Sequence, residues 1–337
     1  MPNGSQEVVE LEETPCPLCG CDAARPIRRG RDLCYGCPGE FQLVQCGACR
    51  HVYVNPRPTR ASIGRFYPPE YGPHGCPAVA ATSEIPERRS FRKRLRHIGW
   101  ISRSYDWIAE SRGHIIPVPM ATVAPRGLEI GCAGGAFLEI LRARGWLVTG
   151  VEPSAAAAGQ AQQSGLDVHV GTLESVALPD AEFDAVFAWM VVEHVHDPPG
   201  TLKRILRLLK PAGTFVFSVP NFGCWEAAFA GRYWWALDLP RHLQHFTPRA
   251  VRRMLRDAGF EGVEIVHQRN AFNLVGTVGL WLMACFPGKS WGRRLIHYLD
   301  NPRAGGILAL APLAWFFAAI HQGGRLTVIA RKPATAS

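Results

Sequence analysis

Two pairs of cysteines come first, because their spacing fits a definite chemistry. Cys16-Pro-Leu-Cys19 and Cys46-Gly-Ala-Cys49 are C-x-x-C turns separated by 26 residues. Each turn presents two thiolates, and two such turns complete a tetrahedral zinc site. The intervening stretch has room for a short hairpin, so the pattern reads as a zinc ribbon. A redox dithiol or a set of structural thiols is the plainer alternative. Cys34-Tyr-Gly-Cys37 forms a third pair. The expected metal ligands are Cys16, Cys19, Cys46 and Cys49, because those turns carry the Pro or Gly of a tight bend. The Cys34–Cys37 pair reads as an inserted loop. Four cysteines leave no open position, so the zinc would be structural.

A second group of residues surrounds a glycine-rich turn, Leu128-Glu-Ile-Gly-Cys-Ala-Gly-Gly-Ala-Phe-Leu138. Such a turn from strand into helix lets the backbone approach a ligand closely. Gly131, Gly134 and Gly135 do not make the G-x-G-x-x-G of a dinucleotide site. Glu152 closes the next apolar run about 20 residues on, where a carboxylate can accept both hydroxyls of a ribose. His194, His242 and His245 are the candidate general bases. The last two lie in a stretch dense in aromatic residues, from Trp225 to Phe246, which suits a lid or an apolar substrate wall. A packed histidine bonded to the backbone is the plainer reading of each. His242 and His245 have ligand-like spacing, but no third ligand is evident nearby.

These residues need a scaffold, and the sequence supplies one. Gly127–Ile130, Leu147–Glu152, Asp167–Val170, Phe183–Trp189 and Thr214–Val219 are short and apolar, as buried parallel strands are. Helical patterns lie between them at 136–144, 154–164 and 199–209. The alternation implies an α/β fold: an open, mostly parallel sheet with helices on both faces. Two further strands, Val263–His267 and Leu326–Arg331, flank a long insertion.

The runs LEIGCAGGAFL, GVEPS, FDAVFAWMVVEHVHDP and LLKPAGTFVFSVPN follow one another in order. In this the chain resembles a class I S-adenosylmethionine-dependent methyltransferase, over roughly residues 125–332. The resemblance implies a Rossmann-like seven-stranded sheet and that cofactor. It also implies that Glu129 and the loop Gly131-Cys132-Ala133-Gly134-Gly135 hold the methionine end. Glu152, followed by Pro153, would hold the ribose hydroxyls. Thr172, Leu173 and Glu174 would line the adenine, and Trp189 with Glu193-His194 would stand at the mouth of the site. Two positions depart from the family. Ala133 stands where Gly is usual, which an ordinary backbone angle would accommodate. Thr172 stands where Asp is frequent, so adenine contacts would rest on the backbone. The cysteine module followed by HVYVNPRPTRASIGRFYPPEY resembles a zinc ribbon that some bacterial methyltransferases carry ahead of the catalytic domain. These include sugar C-methyltransferases and enzymes near polysaccharide or natural-product pathways; the C-terminal half of the former is not evident here.

The expected organisation is a zinc-ribbon module at 14–55, a linker at 56–86, a basic lead-in helix within 87–124 and the methyltransferase domain at 125–337. Within that domain an apolar helical hairpin is expected at 271–320. At 337 residues and 47% hydrophobic the chain is long and apolar enough for a full core, which excludes wholesale disorder. The net charge of +9 suits an anionic partner or surface. The first residues lack an apolar run, so a cytoplasmic protein is expected, with contact to the inner face of the membrane through 271–320 as the sharper reading of that hairpin. A buried helical pair capping the site or forming a homodimer interface is the plainer one. The expected function is methyl transfer to a small-molecule acceptor: a sugar, a lipid-linked intermediate or a natural-product precursor. The rivals are a zinc-ribbon RNA methyltransferase, gripping phosphates through its basic helix, and a non-catalytic binding module.

Overall fold

The computed structural model describes residues 9–68, 71, 115–117, 124–300 and 304–334. The N-terminal part is built on β1 (Leu11–Glu12), β2 (Ala24–Gly30), β3 (Phe41–Cys46), β4 (Val52–Val54) and β5 (Arg57–Pro58). β2, β3 and β4 form an antiparallel meander, and β1 pairs with β5. Phe41, Leu43, Val52 and Val54 bury against Phe66, which a 3-10 turn at Ile63–Phe66 brings in. The segment read as a linker therefore begins as paired and packed backbone. The basic lead-in helix at 88–103 lies outside the described residues.

From residue 126 the chain alternates. β6 (Arg126–Ile130), α1 (Ala136–Arg142), β7 (Leu147–Glu152), α2 (Ala155–Gln163), β8 (Asp167–Val170), β9 (Phe183–Trp189), α3 (Pro198–Leu208) and β10 (Leu209–Pro220) come first. α4 (Trp225–Ala230), β11 (Gln244–His245), α5 (Pro248–Asp257), β12 (Glu261–His267), α6 (Phe272–Cys285), α7 (Trp291–Asp300), α8 (Ala304–Ala319) and β13 (Arg325–Arg331) follow. Seven strands make one sheet in the order β12-β13-β10-β9-β6-β7-β8, with β13 antiparallel to both neighbours and the β10-to-β8 pairings parallel.

Local chemistry sets the helix starts. Ser154, Asp197 and Thr247 each accept a backbone N–H at the first turn of α2, α3 and α5, and Pro198 and Pro248 begin the latter two with φ already suited to a helix. α3 and α5 pack Leu202, Ile205, Val251 and Leu255 on one face of the sheet, against Leu128, Val186 and Phe217. α1 packs Phe137 and Leu141 on the other face, against Phe187 and Val216. This is the three-layer Rossmann-like arrangement expected from the alternation.

Two features differ from the sequence reading. The insertion holds three helices rather than a two-armed hairpin. α7 folds back on α6 so closely that a methyl group on Gly292 would strike the Gly279 carbonyl. In addition, β11 leaves the main sheet and pairs with β4, Gln244 opposite Tyr53 and His245 opposite Val52. The cysteine module and the catalytic region thus share a four-stranded sheet, β11-β4-β3-β2.

Candidate active site

β6 ends at Ile130, and the chain turns through 131–135 into α1. Gly131 needs to be glycine for two reasons. Its φ is +70°, and a Cβ there would lie 2.7 Å from a Val191 methyl. The backbone angle at Ala133 is not the ordinary one that would accommodate alanine freely, since its φ is +45°. A left-handed alanine costs about 1–2 kcal/mol. Its N–H donates to Glu152 Oε2 at 2.8 Å, which helps hold it there. The other oxygen of Glu152 accepts from the Ser154 N–H at 2.8 Å. One carboxylate thus braces both loops.

Glu129 lies beside it, buried, with Oε2 accepting no hydrogen bond from the described residues. Burial first, and the Glu152 charge second, push its carboxyl well above the usual carboxylate range. Two buried acids at one glycine turn suit a ligand that brings a positive charge to Glu129 and a diol to Glu152. The methionine ammonium and the ribose of S-adenosylmethionine meet both requirements.

The remaining expected contacts are mixed. The Cys132 side chain packs with Leu138, Ala158 and Val168, so only its backbone faces the turn. Pro153 is exposed next to Glu152. The Thr172 N–H donates to Ser175 Oγ at 2.9 Å, Leu173 is buried in the core, and Glu174 accepts from the Thr201 hydroxyl at 2.9 Å. Leu173 and Glu174 therefore spend their side chains on the protein. Trp189 ends β9 half-buried, edge-on to Phe137 at 5.1 Å between ring centres.

Across from the glycine turn, a 3-10 turn after β9 carries Glu193 and His194. Glu193 is fully buried, and neither of its oxygens is hydrogen-bonded among the described residues. Burial raises it to about 8. His242 Nδ1 donates to the Ala236 carbonyl at 2.9 Å, which leaves Nε2 as the accepting nitrogen. That Nε2 lies 4.0 Å from Glu193 Oε1 and 3.7 Å from Asp238 Oδ2. His194 Nδ1 is 2.9 Å from Tyr67 Oη and 3.1 Å from the Arg241 carbonyl oxygen. One ligand atom each from Glu193, His194 and His242 fall within 4.8 Å of one another, a set able to pass a proton or hold a cation.

His245 stands apart. It belongs to β11, is buried, and lies 5.4 Å from the Phe222 ring. Burial, then the neighbouring His242 and His51, hold it well below the usual imidazole range. It is placed as a neutral core histidine rather than beside Glu193.

The sequence reading missed what links the two regions. Arg241 is fully buried and donates to Asp32 at 2.8 and 2.9 Å, to Asp238 at 2.6 Å and to the Phe66 carbonyl at 2.8 Å. Its guanidinium also stacks over Tyr35 at 4.7 Å and Tyr71 at 5.6 Å. Asp32 in turn accepts the N–H groups of Cys34, Tyr35 and Cys37. The Cys34–Cys37 loop is thereby fastened to the catalytic region beside His242. An arginine next to a candidate histidine is a weak signal, and nothing local pairs it with Asp32, 209 residues away.

The sulfur atoms of Cys16, Cys19, Cys46 and Cys49 all lie within 4.8 Å of one another, with Cys16–Cys49 at 3.4 Å and Cys19–Cys46 at 3.6 Å. Four sulfurs around zinc at about 2.3 Å stand about 3.8 Å apart, so the cluster has the right size. Burial tends to raise Cys46, but the N–H groups of Cys49 and Ala48 more than offset it and bring the thiol down to about 6. Burial holds Cys49 up at about 11. A cation would be needed to make all four thiolates at neutral pH. Cys34 instead groups with Asp32 and Asp238.

Residues 118–265 match the methyltransferase domain family. The ubiquinone biosynthesis O-methyltransferase of Aromatoleum aromaticum is 33% identical over 174 residues, 48% of this chain and 71% of that protein. The protein of the same name from Methylococcus capsulatus is 30% identical over 179 residues, 48% of this chain and 76% of its own. The crystal structure of an S-adenosylmethionine-dependent methyltransferase from Mesorhizobium loti covers 66% of this chain and 96% of its own, at 18% identity and a TM-score of 0.42.

Proposed function

Since the chain belongs to the class I S-adenosylmethionine-dependent methyltransferases, we propose that it methylates an oxygen of a small-molecule acceptor. The acceptor classes that fit are a sugar, a lipid-linked intermediate and a natural-product precursor. The choice of oxygen rests on the O-methyltransferases that it is similar to. S-adenosylmethionine supplies a methyl group already activated on a sulfonium.

The chain then has two tasks. The first is alignment, worth up to about 7–11 kcal/mol when reacting atoms are well placed. Glu129 takes the ammonium of the cofactor, Glu152 takes the ribose hydroxyls, and the backbone of Gly131–Gly135 lies against the methionine end. The second is to take the proton of the acceptor hydroxyl, worth about 10²–10⁴-fold. His242 is suited to this, since its Nε2 is the accepting nitrogen and the Asp238 carboxylate stands 3.7 Å away to offset the imidazolium, with Glu193 at 4.0 Å. His194, against Tyr67, borders the same space. Zinc on Cys16, Cys19, Cys46 and Cys49 has a structural role, holding the module whose sheet β11 completes.

The observation that supports this most is the buried Glu129 and Glu152 pair at the glycine turn, with Glu193 and two histidines across from it. The test supplies purified protein and methyl-labelled cofactor to an extract of the source cells. Label in the organic or small aqueous fraction is the expected result. Label in nuclease-sensitive material would replace this acceptor class with RNA.

A further inference from the structure

The insertion between β12 and β13 takes no part in this chemistry, yet it carries a surface that calls for a partner. α6 and α8 contain no charged residue. Trp281, Trp315 and Phe316 stand on them about half exposed, at 50%, 45% and 54%. Trp225 and Phe229 of α4, one turn apart, add 51% and 87% exposed rings. α4, α6 and α8 surround a cavity of about 400 Å³, walled chiefly by apolar groups that include Phe229, Leu274, Ala314 and Phe317. Leu274, Val278 and Trp281 fall on one stripe of α6, so the cavity wall runs on into the exposed surface.

The charge around this face is mainly basic. Residues 265–337 hold eight Lys and Arg and a single carboxylate, Asp300. Arg269 lies over the Trp315 ring at 4.1 Å, and Lys289 is 6.0 Å from the Trp291 ring. Exposed tryptophans rimmed by Lys and Arg are the composition of a helix lying in a lipid headgroup layer. No described helix is long and apolar enough to cross a membrane, and both ends of the insertion return to adjacent strands of one sheet. The face can lie on a bilayer without spanning it. A second copy of the chain fits less well, since a two-fold contact would set Lys289, Arg293 and Arg294 against basic neighbours with almost no carboxylate to pair them.

The cavity also has a polar part. Glu226 lines it, with Oε1 accepting from the Thr277 hydroxyl at 2.7 Å. The partly buried Arg325, whose Nε donates to Asn273 Oδ1 at 2.8 Å, favours the ionised forms of both Glu226 and Glu193.

We propose that the face formed by α4, α6 and α8 docks on an anionic phospholipid surface, and that the cavity within it takes the aliphatic chain of a membrane-borne acceptor. The second half rests on the methyltransferase reading; the first does not.

The test uses the full chain and vesicles of phosphatidylcholine, with or without about one-quarter phosphatidylglycerol. The protein should sediment with the anionic vesicles and much less with the neutral ones. Trp281→Ser and Phe316→Ser should each weaken sedimentation by roughly tenfold, the worth of one buried ring. Lys289→Gln with Arg293→Gln and Arg294→Gln should remove the preference for phosphatidylglycerol. For the cavity, cis-parinaric acid should brighten on binding, and Leu274→Trp, with its melting temperature checked, should abolish the signal. Failure of the wild-type chain to sediment, or a concentration-dependent dimer that Trp281→Ser breaks, would overturn the docking face. Unchanged parinaric acid binding by a folded Leu274→Trp would overturn the chain slot. S-adenosylhomocysteine titrated into the same samples separates the two readings. Heat of binding without sedimentation defeats the docking alone, and sedimentation without heat defeats the methyltransferase reading alone.

Discussion

Glu193 is a fully buried acid whose two oxygens accept no hydrogen bond from the described residues. Burial holds its carboxyl at about 8 rather than the ordinary 4.5. A raised carboxyl stabilises the fold fully below its unfolded value and loses that contribution as the pH climbs through its folded value. This group should therefore make the protein progressively less stable from about pH 4.5 to about pH 8, with no further loss above that. Glu193→Gln should flatten the melting-temperature profile across that window, and an unchanged slope would show that Glu193 is already ionised in the fold. Glu129 and Glu152 could be read from the sequence because the glycine turn and the next strand end are local patterns. Tyr67 and Arg241 could not. Their partners His194 and Asp32 lie 127 and 209 residues away, and no periodicity carries such pairings.

Strands of the main sheet were legible because they are short apolar runs, the central β6, β9, β10 and β13 being buried on both faces, and their observed limits match the runs within a few residues. β11 was not, since two residues carry no alternation and its partner β4 lies in the other half of the chain. α7 was hidden for another reason. Its Arg293, Arg294 and His297 read as a charged bridge, whereas Leu295, Ile296 and Tyr298 are partly buried and give the helix a packed side. At this scale the cysteine turns make a direct prediction. Cys46→Ser should lower bound zinc from about one equivalent to near none, because three thiolates hold the ion far less firmly. Cys34→Ser should leave zinc unchanged, as Cys34 faces Asp32 and Asp238. Metal lost from Cys34→Ser rather than from Cys46→Ser, read by elemental analysis, would reassign the ligands.

The molecule as a whole is tied together by a sheet shared between its two regions and by one buried guanidinium. Arg241→Met leaves Asp32 and Asp238 without their countercharge, and breaking such a pair costs about 3–5 kcal/mol. A loss below about 1 kcal/mol in denaturant unfolding would mean that the clamp is not formed in solution. Because β4 and β11 belong to opposite halves of the chain, chelating the zinc should lower the melting temperature of the entire protein in one transition. Two separate transitions would show that the cysteine module is independent. The central claim concerns the pocket of acids at the glycine turn, and calorimetric titration with S-adenosylhomocysteine tests it most directly. Wild-type protein should bind one equivalent, and Glu152→Ala, folded by its melting curve, should bind about a hundredfold or more weakly, the worth of two hydrogen bonds to a charged group. Equal heats from the two proteins, or no heat from the wild type, would contradict the account.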